Sequence, residues 1–346
     1  MMGTALLVKG IFKLPIHGLE GFLNSVFMLM KFHKCLRIGK NKMNFTFIDL
    51  FSGIGGMRVP FSELGGKCVF SSEIDKFARK TYQVNWNEEP YGDITKILPE
   101  EIRSFDLLLA GFPCQPFSQA GFQKGFDDTR GILFFYIAEI IKYHQPKVVL
   151  LENVKRLRTH DKGNTFKVMQ KILEKLFYTV SSEVLSAKNF GVPQNRERIY
   201  IVALRNGETF DFPKPTFEIT KVGNILQKDV PEKYTISDRL WAGHKRRKAG
   251  HRTNGNGFGY GMFTQNSSYT NTISARYYKD GSEILISQGD SRNPRKITPR
   301  EAARLQGFND NFKIVVSDLQ AYKQFGNSVS VPVVRSIAKK LVYYLY

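Results

Sequence analysis

The stretch Phe105-Asp-Leu-Leu-Leu-Ala-Gly-Phe-Pro-Cys-Gln-Pro-Phe-Ser118 carries a short apolar strand directly into a loop that holds one cysteine. The apolar run is typical of a buried strand in a parallel sheet. Pro113 and Pro116 lack amide donors, so the chain must leave the sheet at Gly111. Cys114 therefore lies at the carboxyl end of a strand, where open α/β sheets bind their ligands. A lone cysteine is usually a small buried hydrophobe, but this position favours a reactive thiol.

Strands and helices alternate on both sides of this stretch. The predicted strands cover residues 45–51, 67–72, 105–110, 147–152, 178–187 and 198–204, and the predicted helices cover 58–64, 76–85, 133–143 and 165–177. Strands separated by helices of this length indicate a doubly wound α/β sheet.

The composition limits the class of protein and its partners. The 346 residues include 51 Lys and Arg against 31 Asp and Glu, a net charge of +20, which favours nucleic acid as a partner over a merely basic surface. The three cysteines form no CxxC pair and the six histidines no HExxH motif, so we expect a reducing, cytoplasmic setting and no metal. No apolar run is long enough to span a membrane.

The chain divides by composition into four parts. We expect a dispensable N-terminal extension over 1–42, a first α/β domain over 43–210, a second lobe over 211–297 and a segment over 298–346 that returns to the first domain. Residues 233–300 contain 13 Lys and Arg against 4 Asp and Glu, so the second lobe carries a concentrated basic surface.

A second strand runs into a glycine-rich turn, Phe47-Ile-Asp-Leu-Phe-Ser-Gly-Ile-Gly-Gly56. Glycines there let the backbone approach a ligand closely. The spacing matches neither the dinucleotide nor the phosphate-loop pattern, so a nucleoside ligand without a phosphate chain fits better. Glu73 follows the next strand, where an acidic residue accepts ribose hydroxyls, and Asp93 is a third acceptor.

Further motifs complete a recognisable order. They are Glu152-Asn-Val154, Gln194-Asn-Arg-Glu-Arg198, Arg304-Leu-Gln-Gly-Phe308 and Gln324-Phe-Gly-Asn-Ser-Val329. Together with Cys114, this order resembles the DNA cytosine-5 methyltransferases of bacterial restriction–modification systems, from about Met43 to the C-terminus. The resemblance implies a Rossmann-like methyltransferase sheet with a smaller, mostly irregular or β target-recognition domain over 211–297.

The resemblance also implies the catalytic roles. Cys114 would attack C6 of a cytosine flipped out of the DNA stack. Glu152 would contact N3 and the amino group of the base. Arg198, with Arg196 nearby, would hold the base carbonyl and orient Glu152.

S-adenosylmethionine is the cofactor that the resemblance implies. Phe51 would pack on the adenine, Glu73 would bind the ribose with Ile74 beside it, and Asp93 would bind the adenine amino group. The remaining predicted contacts are Gly53, Gly55 and Gly56 in the turn, Pro113 on the floor, and Asn327 and Ser328 closing the pocket.

Double-stranded DNA is the partner that the same resemblance implies. Ser118 and Gln119 begin a glycine-punctuated loop, residues 118–131, suited to closing on DNA. Lys245, Arg246 and Arg247 would hold phosphates, although such a run is often just a solvated helix face. Asn256, Tyr260, Arg276 and Tyr277 would serve base recognition, with a target of CCGG or CC(A/T)GG type.

Two other functions compete with this interpretation. The family has a branch that methylates tRNA, but the large basic lobe favours DNA. A DNA-binding protein without activity is the other alternative, and the intact set of Cys114, Glu152 and Arg198 argues against it. We further expect a monomer, associated with the nucleoid through DNA and paired in function with a restriction endonuclease.

Overall fold

The predicted sheet is present in the computed structural model, which describes residues 44–113, 132–216, 218–253, 255 and 259–346. Six strands lie in the order β2-β1-β3-β4-β6-β5. Their bounds are β1 Thr46–Leu50, β2 Lys67–Ser72, β3 Leu107–Gly111, β4 Val148–Val154, β5 Thr179–Ser186 and β6 Glu197–Leu204. The first four pair in parallel, whereas β6 runs antiparallel to both β4 and β5. The doubly wound α/β class is confirmed.

Several sequence predictions fall outside the described residues. They are Cys114, Ser118, Gln119, Asn256 and the N-terminal extension over 1–42.

The central strands are apolar because they are covered on both faces. Leu107, Leu108, Leu109 and Ala110 of β3 have no exposed surface, and Val148–Leu151 of β4 are equally buried. Burying a leucine or valine side chain contributes about 1.5–3 kcal/mol, so these strands form the most strongly anchored part of the sheet.

Helices cover the sheet and the C-terminal part of the chain. Their bounds are α1 Arg58–Glu63, α2 Lys76–Trp86, α3 Ile132–His144, α4 Asn164–Lys175, α5 Asp238–Thr253, α6 Pro299–Leu305, α7 Asp318–Asn327 and α8 Val331–Leu341. Helix α2 begins where the Asp75 carboxylate accepts the amides of Phe77 and Ala78 at 2.8 and 3.3 Å. This cap directs the chain away from the end of β2.

One helix, α5, has no counterpart in the sequence prediction for 211–297. It spans 16 residues, and His244 is its buried residue. Because α5 has no apolar stripe, its sequence lacks the helical period that identifies a core-facing helix. The same part of the chain also contains a small sheet of β7 Met262–Phe263, β8 Leu285–Ile286 and β9 Arg295–Lys296.

The C-terminal helix α8 packs on the first part of the chain. Arg335 forms a two-pronged ion pair with Glu63 of α1, both bonds being 2.8 Å long. Lys340 Nζ lies 2.7 Å from Asp211 Oδ2. Residues Phe45–Leu345 form one compact unit, and the predicted boundaries near 211 and 298 stay predictions.

Candidate active site

The carboxyl edge of β3 and β4 places the predicted acid beside the chain that leads to the predicted nucleophile. Glu152 lies opposite Gly111 in the parallel pairing of the two strands. Asn153 Nδ2 donates to the Phe112 carbonyl at 3.0 Å, which ties the chain beyond β3 to the end of β4. Cys114 itself lies outside the described residues, so its contacts stay predictions.

Glu152 forms a buried ion pair with Arg198. Arg198 Nε lies 3.3 Å from Glu152 Oε1, and the side chains are 17% and 10% exposed. Tyr200 lies opposite Glu152, and Arg198 precedes it by two residues on the same face of β6. Burial raises the pKa of Glu152, and the charges of Arg198 and Arg196 offset part of this rise. The carboxyl therefore holds its proton to higher pH than a free glutamate.

Arg196 is buried and donates to backbone carbonyls. Its Nη1 lies 3.2 Å from the Ile273 carbonyl, and its Nη2 lies 3.0 and 2.7 Å from those of Gly326 and Ser328. Its Nε is buried with no partner among the described residues. Burial, followed by the charge of Arg198, lowers the pKa of Arg196. These contacts suit a residue that positions backbone, and its predicted contact with substrate stays a prediction.

A cavity of about 420 Å³ connects the glycine turn with this edge. It is lined by every predicted cofactor residue except Gly55, together with the three predicted catalytic residues of the described chain. The lining residues among those predictions are Phe51, Gly53, Gly56, Glu73, Ile74, Asp93, Pro113, Asn327 and Ser328, with Glu152, Arg196 and Arg198. The geometry thus assembles the two predicted sets around one cavity.

Glu73 is held rigidly at the end of β2. Its Oε2 accepts the Gly53 amide at 2.8 Å and its Oε1 accepts the Asp75 amide at 2.7 Å. Burial raises the pKa of Glu73, and these backbone bonds partly oppose the rise. A carboxylate has about four acceptor positions, so two remain for ligand hydroxyls. Ile74, beside it, is 73% exposed and lines the cavity, which gives a ligand ring an apolar surface.

Two glycines of the turn are required by close approach. A Cβ atom on Gly56 would lie 2.6 Å from Ser328 Oγ, so this glycine admits the C-terminal segment to the cavity. A Cβ atom on Gly55 would lie 2.2 Å from Trp86 Nε1. The prediction of Gly55 as a cofactor contact is therefore corrected: it packs against α2, behind the turn.

The sequence analysis missed three polar residues of the cavity wall. Asp49 Oδ2, Ser52 Oγ and Ser72 Oγ are buried with no hydrogen-bond partner among the described residues, and all three residues line the cavity. Burial raises the pKa of Asp49 strongly, against the opposing charge of Arg58. A carboxyl inside the apolar strand β1 was the available signal, whereas the serines gave none.

Helix α5 presents part of the predicted DNA surface. Lys245, Arg246 and Arg247 are exposed on it. Arg247 forms an ion pair with Asp280 at 3.1 Å, so its charge is partly committed within the protein. Tyr260 is half-buried beneath this helix, with its ring centroid 4.2 Å from Lys248 Nζ.

The two predicted residues on the other recognition stretch have opposite environments. Arg276 is exposed. Tyr277 has no exposed surface, and its hydroxyl donates to the Ile284 carbonyl at 2.6 Å and accepts the Ile297 amide at 2.9 Å. The prediction that Tyr277 contacts DNA is wrong, because this side chain is part of the core.

Two searches of the described residues concern metals and membranes. Within 44–113, 132–216, 218–253, 255 and 259–346, no three His, Cys, Asp or Glu side chains are grouped to hold a metal ion. None of the helices in these ranges is both long and apolar enough to span a bilayer.

The packing of Gly55 on Trp86 yields a stability prediction. Gly55→Ala places a methyl group in the indole ring and an alanine at φ +84°, whereas Gly207→Ala meets no atom within 4 Å at φ +80°. The control should lose about 1–2 kcal/mol of unfolding free energy from the backbone alone. Gly55→Ala should lose about 1–3 kcal/mol more. Equal losses in urea unfolding would show that the glycine is not needed for this contact.

Comparisons with known proteins agree with the site. Type II methyltransferase M.DsaV of Dactylococcopsis salina is 58% identical over 308 residues, covering 88% of each chain. Type II methyltransferase M1.ScrFI of Lactococcus lactis subsp. cremoris is 60% identical over 304 residues, covering 86% of this chain and 78% of that one. The solved structure of the Entamoeba histolytica methyltransferase EhMeth has the same fold, with a TM-score of 0.71 at 23% identity, covering 88% of this chain and 98% of that one.

The family model for C-5 cytosine-specific DNA methylase matches residues 45–343, which include the glycine turn, Glu152, Arg198 and the C-terminal motif. The resemblance stated from the motifs is confirmed. The chain belongs to the C-5 cytosine-specific DNA methylases and is a C-5 cytosine-specific DNA methyltransferase.

Proposed function

We propose that the protein transfers a methyl group from S-adenosylmethionine to C5 of a flipped-out cytosine in one DNA sequence, through a covalent bond between Cys114 and C6. The buried Glu152–Arg198 pair carries the proposal, because it lies beside the chain leading to Cys114 and faces the cavity. The proposal extends to a monomer in the cytoplasm, bound to the nucleoid, that protects DNA from a cognate restriction endonuclease. The names of the type II relatives support this pairing.

Cysteine addition solves the problem that C5 of cytosine is a weak nucleophile. The Cys114 thiolate forms an S–C6 bond, and the C5–C6 π electrons move toward C5. C5 then bonds to the methyl group. Loss of the C5 proton to a base and expulsion of the thiolate restore the aromatic ring and the free cysteine.

Glu152 is suited to assist the addition as an acid. Its raised pKa keeps the carboxyl protonated at higher pH, so it can donate to N3 while the ring accepts electrons from sulfur. Arg198 holds the carboxyl through Nε and supplies a positive charge near the base carbonyl. The pair thus stabilises negative charge that develops on the ring.

The residues of the cavity fit S-adenosylmethionine, which supplies an electrophilic methyl group when bound. Glu73 has acceptor positions left for ribose hydroxyls, and Ile74 offers an apolar face to the adenine. Asp49, Ser52 and Ser72 carry buried polar atoms without partners in the described chain, which suits the charged amino-acid end of that molecule. Phe51, Asp93, Asn327 and Ser328 keep their predicted roles as contacts.

DNA contacts are proposed on the exposed basic residues. Lys245 and Arg246 of α5 would hold phosphates, and Arg276 would read bases in the major groove. The proposed target is of CCGG or CC(A/T)GG type.

Glu152→Gln tests the acid. We expect a loss of methyl transfer of about 10²–10⁴-fold with DNA binding retained, because the amide cannot supply the proton. The decline of kcat/KM as pH rises through the raised pKa of Glu152 should also disappear in this variant. Glu183→Gln changes an exposed glutamate on β5 and should leave both the rate and its pH profile unaltered. A variant at 152 that kept the wild-type rate would rule out the assigned role.

The substrate is tested by offering duplex DNA and tRNA side by side with labelled S-adenosylmethionine. Label should enter DNA, and bisulfite sequencing should place 5-methylcytosine at one position of one short sequence. Label that appears only in tRNA would reject the proposal in favour of the family's RNA branch. Methylation without sequence context would reject the site specificity.

A further inference from the structure

Two segments of the chain touch through their backbones near the cavity. We call Thr270–Arg276 the recognition segment and Gly326–Ser328 the closing segment. A Cβ atom on Gly326 would lie 2.4 Å from backbone atoms of both Ser274 and Ala275. Only glycine permits this approach, so the position of one segment sets the position of the other.

Arg196 donates to both segments at once. One nitrogen, Nη1, bonds the Ile273 carbonyl of the recognition segment, and the other, Nη2, bonds the Gly326 and Ser328 carbonyls of the closing segment. Among the described residues, no carboxylate forms an ion pair with Arg196. Its planar fork is therefore committed to joining backbone, a geometry that a lysine ammonium cannot reproduce.

The recognition segment has further ties to the chain just before β6. Gln194, which is fully buried, accepts the Ile273 amide on Oε1 at 3.1 Å. Thr272 Oγ1 donates to the Asn195 carbonyl at 2.7 Å. The recognition segment is thus fixed to the strand that supplies Arg198 to the active site.

The joined segments reach a proposed ligand at each end. Arg276 is exposed at the end of the recognition segment, where DNA is proposed to bind. Asn327 and Ser328 line the cavity, and Ser328 Oγ occupies the space left by the missing side chain of Gly56. A continuous set of contacts therefore connects the DNA surface with the cofactor cavity.

We propose that Arg196 is a positioning residue that couples the recognition segment to the closing segment, so that target DNA and S-adenosylmethionine each raise the affinity of the other. This inference rests on the proposed function. DNA that orders the recognition segment also holds the closing segment through Arg196, so the second ligand binds at a smaller cost in ordering. Linkage makes the effect reciprocal.

The test measures the dissociation constant of S-adenosylhomocysteine by calorimetry, without DNA and with a saturating duplex that carries the methylated site. In the wild type, DNA should tighten binding by about 5–150-fold, the usual range of such coupling. In Arg196→Lys this factor should fall to below about a third of the wild-type factor, with a smaller change in the absence of DNA. Arg205→Lys, just beyond the other end of β6, donates to Gln145 and should keep the wild-type factor.

Several results would overturn the inference. A purely structural role would weaken binding equally with and without DNA, and an irrelevant contact would change neither value. If Arg196→Lys does not fold, Thr272→Val decides: it keeps the side-chain shape, removes the bond to Asn195, and should lower the factor in part. An unchanged factor in that variant contradicts the coupling.

The outcome also separates this inference from the proposed function. If the wild type methylates DNA but shows no coupling, only the role of Arg196 is wrong. If the wild type does not methylate DNA, the proposed function fails first, as bisulfite sequencing would show.

Discussion

The active site depends on the buried ion pair between Glu152 and Arg198. Moving one charged group out of water costs several kcal/mol, and the attraction between the partners offsets this only when their geometry is good. Because the two side chains are 10% and 17% exposed, losing either would leave a charge poorly solvated. The pair is therefore a feature that stability alone does not favour, and its position facing the cavity gives it a chemical use.

The antiparallel direction of β6 makes this pair geometrically available. Parallel strands β3 and β4 end at the carboxyl edge, whereas β6 begins there. Residues two apart in a strand share a face, so Arg198 and Tyr200 alternate along the side that meets Glu152. Arg196 continues this spacing just before the strand, where it bonds the backbone of two other segments. One strand thus contributes both to the chemistry and to the support around it.

Local patterns predicted the elements whose residues are buried by their own periodicity. Strand β2 has the predicted bounds, and β3 and β4 differ from theirs by one or two residues. Glu73 and Glu152 were predicted as site residues because each follows an apolar strand at an edge that binds ligands. Their lining of one cavity was implied by the family order of motifs and agrees with the structure.

The features that the sequence did not predict depend on distant neighbours. Helix α5 lacks an apolar stripe, so no period marked it. Tyr277 sits in a polar-looking stretch, yet the backbone of Ile284 and Ile297 satisfies its hydroxyl and makes it a core residue. Gly55 belongs to a ligand-binding turn but answers to Trp86 of α2. In each case the deciding contact comes from another element, which single-sequence patterns do not contain.

The most direct test of the central claim uses a duplex with 5-fluorocytosine at the methylated position, incubated with the protein and S-adenosylmethionine. Fluorine at C5 cannot leave as a proton, so the covalent bond to the enzyme should persist. We predict a protein–DNA adduct that survives denaturation, maps to the peptide containing Cys114, and is lost in Cys114→Ala. An adduct on another residue, or unchanged methyl transfer by Cys114→Ala, would contradict the claim.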